Sequence, residues 1–324
     1  MESKYFFHAT FVFLALLVFP AIATGQSLGF WKTLPPAPTV RTEAVAAAVD
    51  GTIYVIGGFT PKGIATRVDR LNLATGIWSE AAPLPRPLHH TSASAVNGKI
   101  YVIGGFDSGL WTAVATTYEY DPATDRWQKK RPMPTARGAM AAGVIDGKIY
   151  LVGGAHRKFL RLVNTDANEV YDPATDQWRT LSPIPTARDH LTVSTFHGIL
   201  YAIGGRINVD YNKNLSANEA YDPAIDRWTR RKPMPTARSG ITSQVLRGKV
   251  FVLGGESSAG TFRENEAYDP VADAWTPMAP MKGGHHGLGS TVVMDQIHVL
   301  TGGPNPGGGG SAIHEVFSLN PFQK

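Results

Sequence analysis

Short runs of alternating apolar and polar residues, each closed by a turn dipeptide, recur along the chain from residue 31 to residue 321. Residues 137–183 show the unit most clearly. Alternation over 138–145 predicts a first strand, Asp146-Gly147 supplies the positive φ of a tight hairpin, and 148–154 predicts a second strand. After a loop, Asn168-Glu169-Val170-Tyr171 reads as a third strand and Gln177-Trp178-Arg179-Thr180 as the start of a fourth. The turn between them, 172–176, is fixed by Pro173, while Asp172 and Asp176 can accept nearby backbone N–H groups. Four short antiparallel strands cannot bury both faces of their own sheet, so such units must stack as blades. The pattern leaves almost no room for helix.

A Gly-Gly pair closes the second strand of every unit: 57–58, 104–105, 153–154, 204–205, 254–255 and 302–303, at steps of 47, 49, 51, 50 and 48 residues. A period near 50 residues built of strands predicts six propeller blades. Glycine suits a strand end where a side chain would meet neighbouring backbone or need a forbidden φ. Trp78, Trp127, Trp178, Trp228 and Trp275 recur in register and are expected to pack between blades. The sixth tryptophan is Trp31, 47 residues before Trp78. Residues 30–35 read as a fourth strand with no first three, and 313–319 as a third strand with no fourth. The N-terminal strand is therefore predicted to complete the last blade and remove an open edge.

The chain opens differently. An apolar run over 5–19, Pro20 and the small-x-small Ala21-Ile22-Ala23 predict a secretory leader over 1–23, with one propeller domain over 24–324 and a secreted or periplasmic destination. No later segment is apolar for long enough to cross a membrane. With no cysteine, disulfides, thiolate metal sites and thiol nucleophiles are excluded. The formal charge of +5 is dispersed, with Lys129-Lys130-Arg131 and Arg230-Arg231-Lys232 its densest groups, so no nucleic-acid partner is expected. No cofactor or metal is expected either.

Gly-Gly after a second strand, Tyr-Asp-Pro at 120–122, 171–173, 221–223 and 268–270, the tryptophans and Met-Pro-x-x-Arg together resemble the kelch repeat over 31–321. The resemblance implies an all-β, six-bladed propeller, in a family whose members mostly hold other proteins. Galactose oxidase, a kelch-like enzyme, needs a cysteine-linked tyrosine that this chain cannot supply. Periplasmic sialic acid mutarotases share the scaffold and the export signal, which keeps a sugar mutarotase or epimerase as the alternative to a binding module.

Second-to-third-strand loops share one face, and they carry the variation: 59–66, 106–116, 155–166, 206–217, 256–264 and 303–312. Binding residues usually sit on such loops. Sixteen residues before the Gly-Gly pairs stand Arg41, Arg137, Arg188 and Arg238, with Leu88 and His286 in the other two units. These arginines either bond a neighbouring blade's backbone or an aspartate, or present an electropositive mouth to a protein or acidic ligand. Beside them lie His89-His90, Asp189-His190 and His285-His286, although adjacent side chains on a strand point to opposite faces. If the protein is an enzyme, His190 with Asp189, Glu256 or Arg188 are the acid–base candidates. His90, His286 and Trp111, the one tryptophan of the repeat region outside the register, complete the expected ligand contacts.

Overall fold

The computed structural model describes Met1 and residues 28–321; beyond Met1, the expected leader lies outside the described residues. Six four-stranded antiparallel sheets surround a central channel, and the described residues contain no helix. In the third blade the strands run Ala141–Ile145, Lys148–Val152, Asn168–Asp172 and Gln177–Thr180 from the channel outward. The last blade is composite. Phe30–Thr33 pairs with His314–Ser318 in the register Trp31 to Phe317, outside Gln296–Leu300 and Gly289–Val293.

The second strands read as continuous apolar runs because both of their faces are covered. In the first blade Tyr54 and Ile56 pack with Val102 and Tyr120 of the second blade. Ile53 and Val55 point the other way, onto Leu300 of the sixth. Six apolar clusters fill the six interfaces in this way, so the core is a ring rather than a centre. Aligned indole bonds reinforce it. Trp127, Trp178, Trp228, Trp275 and Trp31 each donate Nε1–H to a carbonyl in the link entering their own blade, at 2.8–2.9 Å.

The Gly-Gly pairs sit where one blade meets the next. A Cβ on Gly153 would stand 2.7 Å from the Arg188 carbonyl, and one on Gly154 2.7 Å from the Gly138 carbonyl. In the sixth blade the register differs by one residue from the sequence expectation. Thr301, at φ 58°, takes the first glycine's place, and Gly302 takes the second's by donating its N–H to the Arg41 carbonyl at 2.9 Å. His285, not His286, is consequently the counterpart of the ring arginines. His286 bridges Gly303 as Asp189 bridges Arg206 and His89 bridges Phe106.

Candidate functional site at the loop-side channel mouth

Two residues beyond each ring position the chain adopts a left-handed conformation: Glu43, His90, Ala139, His190, Gly240 and Gly287, all with φ between 51° and 64°. Each donates its N–H to the carbonyl of its counterpart in the preceding blade, at 2.8–3.3 Å, and Glu43 closes the circle on Gly287. This girdle of six hydrogen bonds places one residue per blade at the channel mouth, on the side of the variable loops. The left-handed turn also changes where side chains go. Neighbours that would point apart on an extended strand are brought together, with His190 Nδ1 2.5 Å from Asp189 Oδ1 and His90 Nδ1 2.6 Å from His89 Nδ1.

The four arginines lie elsewhere. Arg41, Arg137, Arg188 and Arg238 are 0% exposed, and each guanidinium is bonded inside its own blade. Arg188 donates to the Thr186 and Ala202 carbonyls at 2.8 Å and to Glu219 at 2.5 Å; Arg137 treats Thr135, Leu151 and Glu169 in the same way. Asp69 pairs with Arg41 and Glu266 with Arg238. The arginines tie the second and third strands together and present no fork to the mouth, which removes Arg188 from the acid–base candidates on geometry. The backbone they bond belongs to their own blade, not a neighbour's, and the expected aspartate is present for Arg41 as Asp69, with a glutamate in its place for the other three.

Behind the mouth a chain of ionisable side chains runs through five blades; of these Glu43, His90 and His190 line the channel cavity, while Asp189, Arg206, Glu256 and His286 are buried. Arg206 donates Nη1–H to Glu256 Oε1 at 2.7 Å, Nε–H to Asp189 Oδ1 at 3.2 Å and Nη2–H to His190 Nε2 at 2.9 Å. Glu256 Oε2 lies 3.4 Å from His286 Nδ1, which lies 3.1 Å from Glu43 Oε1. Glu43 Oε2 in turn faces His90 Nε2 at 3.3 Å. The His90 and His190 rings are 4.9 Å apart, a distance that Ala139 of the intervening blade leaves open.

Burial and pairing set the charge states. Burial pushes the His90 imidazole well below its usual range, helped by His190, His89 and Arg206 and opposed by Glu43. Burial likewise lowers His89 to about 4. Burial would raise Glu43, but the imidazoles around it outweigh that and hold its carboxyl well below the usual range. His90 has the largest of these lowering effects on Glu43, followed by His286. Burial opposes protonation of His286, yet its hydrogen bond to Glu43 and the charges of Glu43 and Glu256 raise it. Asp189 is lowered against burial by His190 and Arg206. Asp189, Glu256 and Glu43 are thus each paired with imidazole or guanidinium groups of the same chain: His190, Arg206, His286 and His90.

Below the mouth is a cavity of about 190 Å³, whose walls descend through small residues such as Ala46, Ala93 and Ser243. Beside it, on the loop side, a second cavity of about 510 Å³ is lined by Phe59, Trp111, Thr42 and Gly307–Gly310. Trp111 leans on His90 with ring centroids 4.6 Å apart, so the two spaces share a wall. The glycine-rich sixth loop reaches over the mouth. Gly307 donates its N–H to Glu256 Oε2 at 2.7 Å, and Tyr211, whose ring lies 4.2 Å from the Arg206 guanidinium, closes the other side.

Kelch descriptions match most of the described chain. The KLHDC2/KLHL20/DRC7 Kelch-repeats domain matches residues 27–154, and the Kelch motif matches residues 136–185, 187–235 and 237–282. The chain belongs to the kelch-repeat family. No curated protein matches it. The solved structure of YjhT is similar to this kelch propeller with a TM-score of 0.75 at 16% identity, covering 88% of this chain and 97% of that one, which shows a shared fold. Among the expected site residues, His90, His190, Asp189, Glu256, His286 and Trp111 gather at one mouth of the kelch channel. Glu43 and Arg206 were not foreseen. Glu43 stands two residues after Arg41, as His190 does after Arg188, and Arg206 directly follows its Gly-Gly pair as Glu256 does, so both offsets were present in the repeat.

Proposed function

We propose that this kelch propeller is a binding module that takes a small, polyhydroxylated ligand at the loop-side channel mouth. The observation that carries the reading is the convergence of Glu43, His90, Asp189, His190, Arg206, Glu256 and His286 beside an aromatic wall. Buried charge is costly, and charged groups gathered beside a cleft mark it as a candidate ligand site. Phe59 and Trp111 offer apolar ring faces to C–H groups, while Glu43, His90 and His190 offer acceptors and donors to hydroxyls. The ring arginines, all engaged within their own blades, favour a neutral ligand over an acidic one. Calorimetric titration with a panel of neutral and acidic mono- and disaccharides tests this. Binding of a neutral sugar, weakened about 10-fold or more by Trp111→Ala with the fold intact, supports it. Preference for acidic sugars, or binding indifferent to Trp111, overturns it.

A second reading, a sugar mutarotase or epimerase, is favoured by the 2.5 Å pairing of Asp189 with His190 beside the same cavity. Ring opening at an anomeric centre needs an acid and a base on opposite sides, and His190 and Glu43 flank the mouth. Exchange spectroscopy of anomers, sialic acid included, decides it: no acceleration over solvent for any sugar removes the enzyme. Export belongs to the same proposal and rests on the apolar run over 5–19. N-terminal sequencing of the mature protein checks it, with a start after residue 23 expected.

A further inference from the structure

We propose that Glu43, His90 and His190 form a site for a divalent transition-metal ion of the zinc type at the loop-side mouth, a property beyond the sugar-binding reading. One donor atom from each of the three lies within 4.8 Å of the other two. Glu43 Oε2 and His90 Nε2 are 3.3 Å apart, the separation of two donors on one tetrahedral ion with bonds of about 2.0 Å. The wider pairs, within 4.8 Å, would draw in to that spacing on ligation.

The surroundings suit ligation. A ligating imidazole ordinarily engages its second nitrogen with a carboxylate or another acceptor, which fixes its tautomer. His190 Nδ1 is held by Asp189 at 2.5 Å, leaving Nε2 as the donor atom. His90 Nδ1 is held by His89 Nδ1 at 2.6 Å, leaving its Nε2 toward Glu43. Arg206 now donates to His190 Nε2; an ion replaces that bond, and the guanidinium keeps Glu256 and Asp189. Two imidazoles and one carboxylate suit zinc and its first-row neighbours better than the all-oxygen shells of calcium or magnesium. Three protein donors leave a coordination position open to the channel.

Titrating the metal-stripped full chain with zinc chloride tests the site without any sugar present, so its failure and that of the sugar reading are separable. One ion per chain is expected, with affinity reduced at least about 10-fold in Glu43→Gln and in His190→Asn. His197→Gln, on a hairpin turn away from the mouth, should bind as the parent does. No binding at tenfold excess of zinc, or equal binding by parent and both variants, overturns the proposal. Should a variant fail to fold, X-ray absorption at the zinc edge of the parent decides: two imidazoles in the first shell support the site, and a shell without imidazole sinks it.

Discussion

Trp178 Nε1 donates a 2.9 Å hydrogen bond to the carbonyl of Arg131, 47 residues earlier in the link that enters the third blade. Asp176 Oδ1 accepts the N–H of the same Arg131 at 2.9 Å, so both backbone groups of one residue are gripped by one turn of the following blade. Tyr171 fixes that aspartate by donating its hydroxyl at 2.7 Å. Trp127 and Asp125 hold Ala82 in the same way, and Trp228 and Asp226 hold Ser182. The Tyr-Asp-Pro turn and the tryptophan are thus two arms of one staple between blades.

At the closing blade the staple becomes a latch. Trp31 donates to the Ala279 carbonyl at 2.8 Å and packs on Phe317 with centroids 5.2 Å apart, joining the two ends of the chain. Trp31→Ala should remove the indole bond and most of that packing, lowering stability by about 2–4 kcal/mol. Ile225→Ala, on an exposed outer turn, should stay within about 0.5 kcal/mol of the parent. Urea midpoints of the two variants compare them, and coincident midpoints would remove the latch.

The buried arginines yield a stability prediction where a ligand effect was the competing expectation. Arg137 is bonded to Glu169 at 2.5 Å with both side chains out of solvent. Arg137→Met leaves an unpaired buried carboxylate and should cost about 3–5 kcal/mol, as should removal of the Glu169 charge by Glu169→Gln. The double variant Arg137→Met/Glu169→Met should recover much of the loss, because two apolar groups replace the pair. Denaturant titration of the four-protein cycle reads this, and strictly additive losses would contradict it.

Acid sensitivity follows from a second histidine pair. His298 Nδ1 and His314 Nε2 are 2.9 Å apart in the sixth blade, and burial lowers both imidazoles to about 4. Unfolded imidazoles take up protons near 6.5, so between about pH 6.5 and 4 the unfolded chain binds more protons than the folded one. Stability must therefore fall as pH drops through that window, by up to about 1.4 kcal/mol per pH unit for each group. His298→Asn should flatten the dependence of urea-derived stability on pH between 6.5 and 4. A slope equal to the parent's would assign the acid loss to other groups.

Much of the scaffold was legible because it repeats: six copies of one hairpin and one turn fix blade number, strand order and the closing role of Trp31. The single slip was at Thr301, where a threonine adopts a glycine's left-handed φ and moves the sixth register by one residue. The site was less legible for a related reason. Alternation along a strand says that His89 and His90 diverge, but φ of 51° at His90 and 53° at His190 folds each back against its neighbour. No local signal marks that conformation, since a closed circle of backbone bonds between blades imposes it. The arginines mislead in the opposite direction. Their repetition records contacts within each blade, whereas the mouth is built from the positions that do not repeat.

The sixth loop gives the sharpest test of access to the mouth. Gly307 has φ 64°, and a Cβ built there would stand 2.6 Å from the Tyr211 hydroxyl. Gly307→Ala must therefore strain the backbone or displace Tyr211, and either response weakens the 2.7 Å bond from Gly307 N–H to Glu256. The loop carries little of the core, so the urea midpoint should move by less than about 1 kcal/mol. Sugar affinity should fall about 10-fold, because Gly307–Gly310 also line the Trp111 cavity. Gly76→Ala, at an outer-turn glycine whose Cβ meets nothing within 4 Å, controls for strain alone, since its φ of 69° is close to that of Gly307. Equal affinity losses in the two variants would make the effect one of backbone strain and free the sixth loop from any role at the mouth.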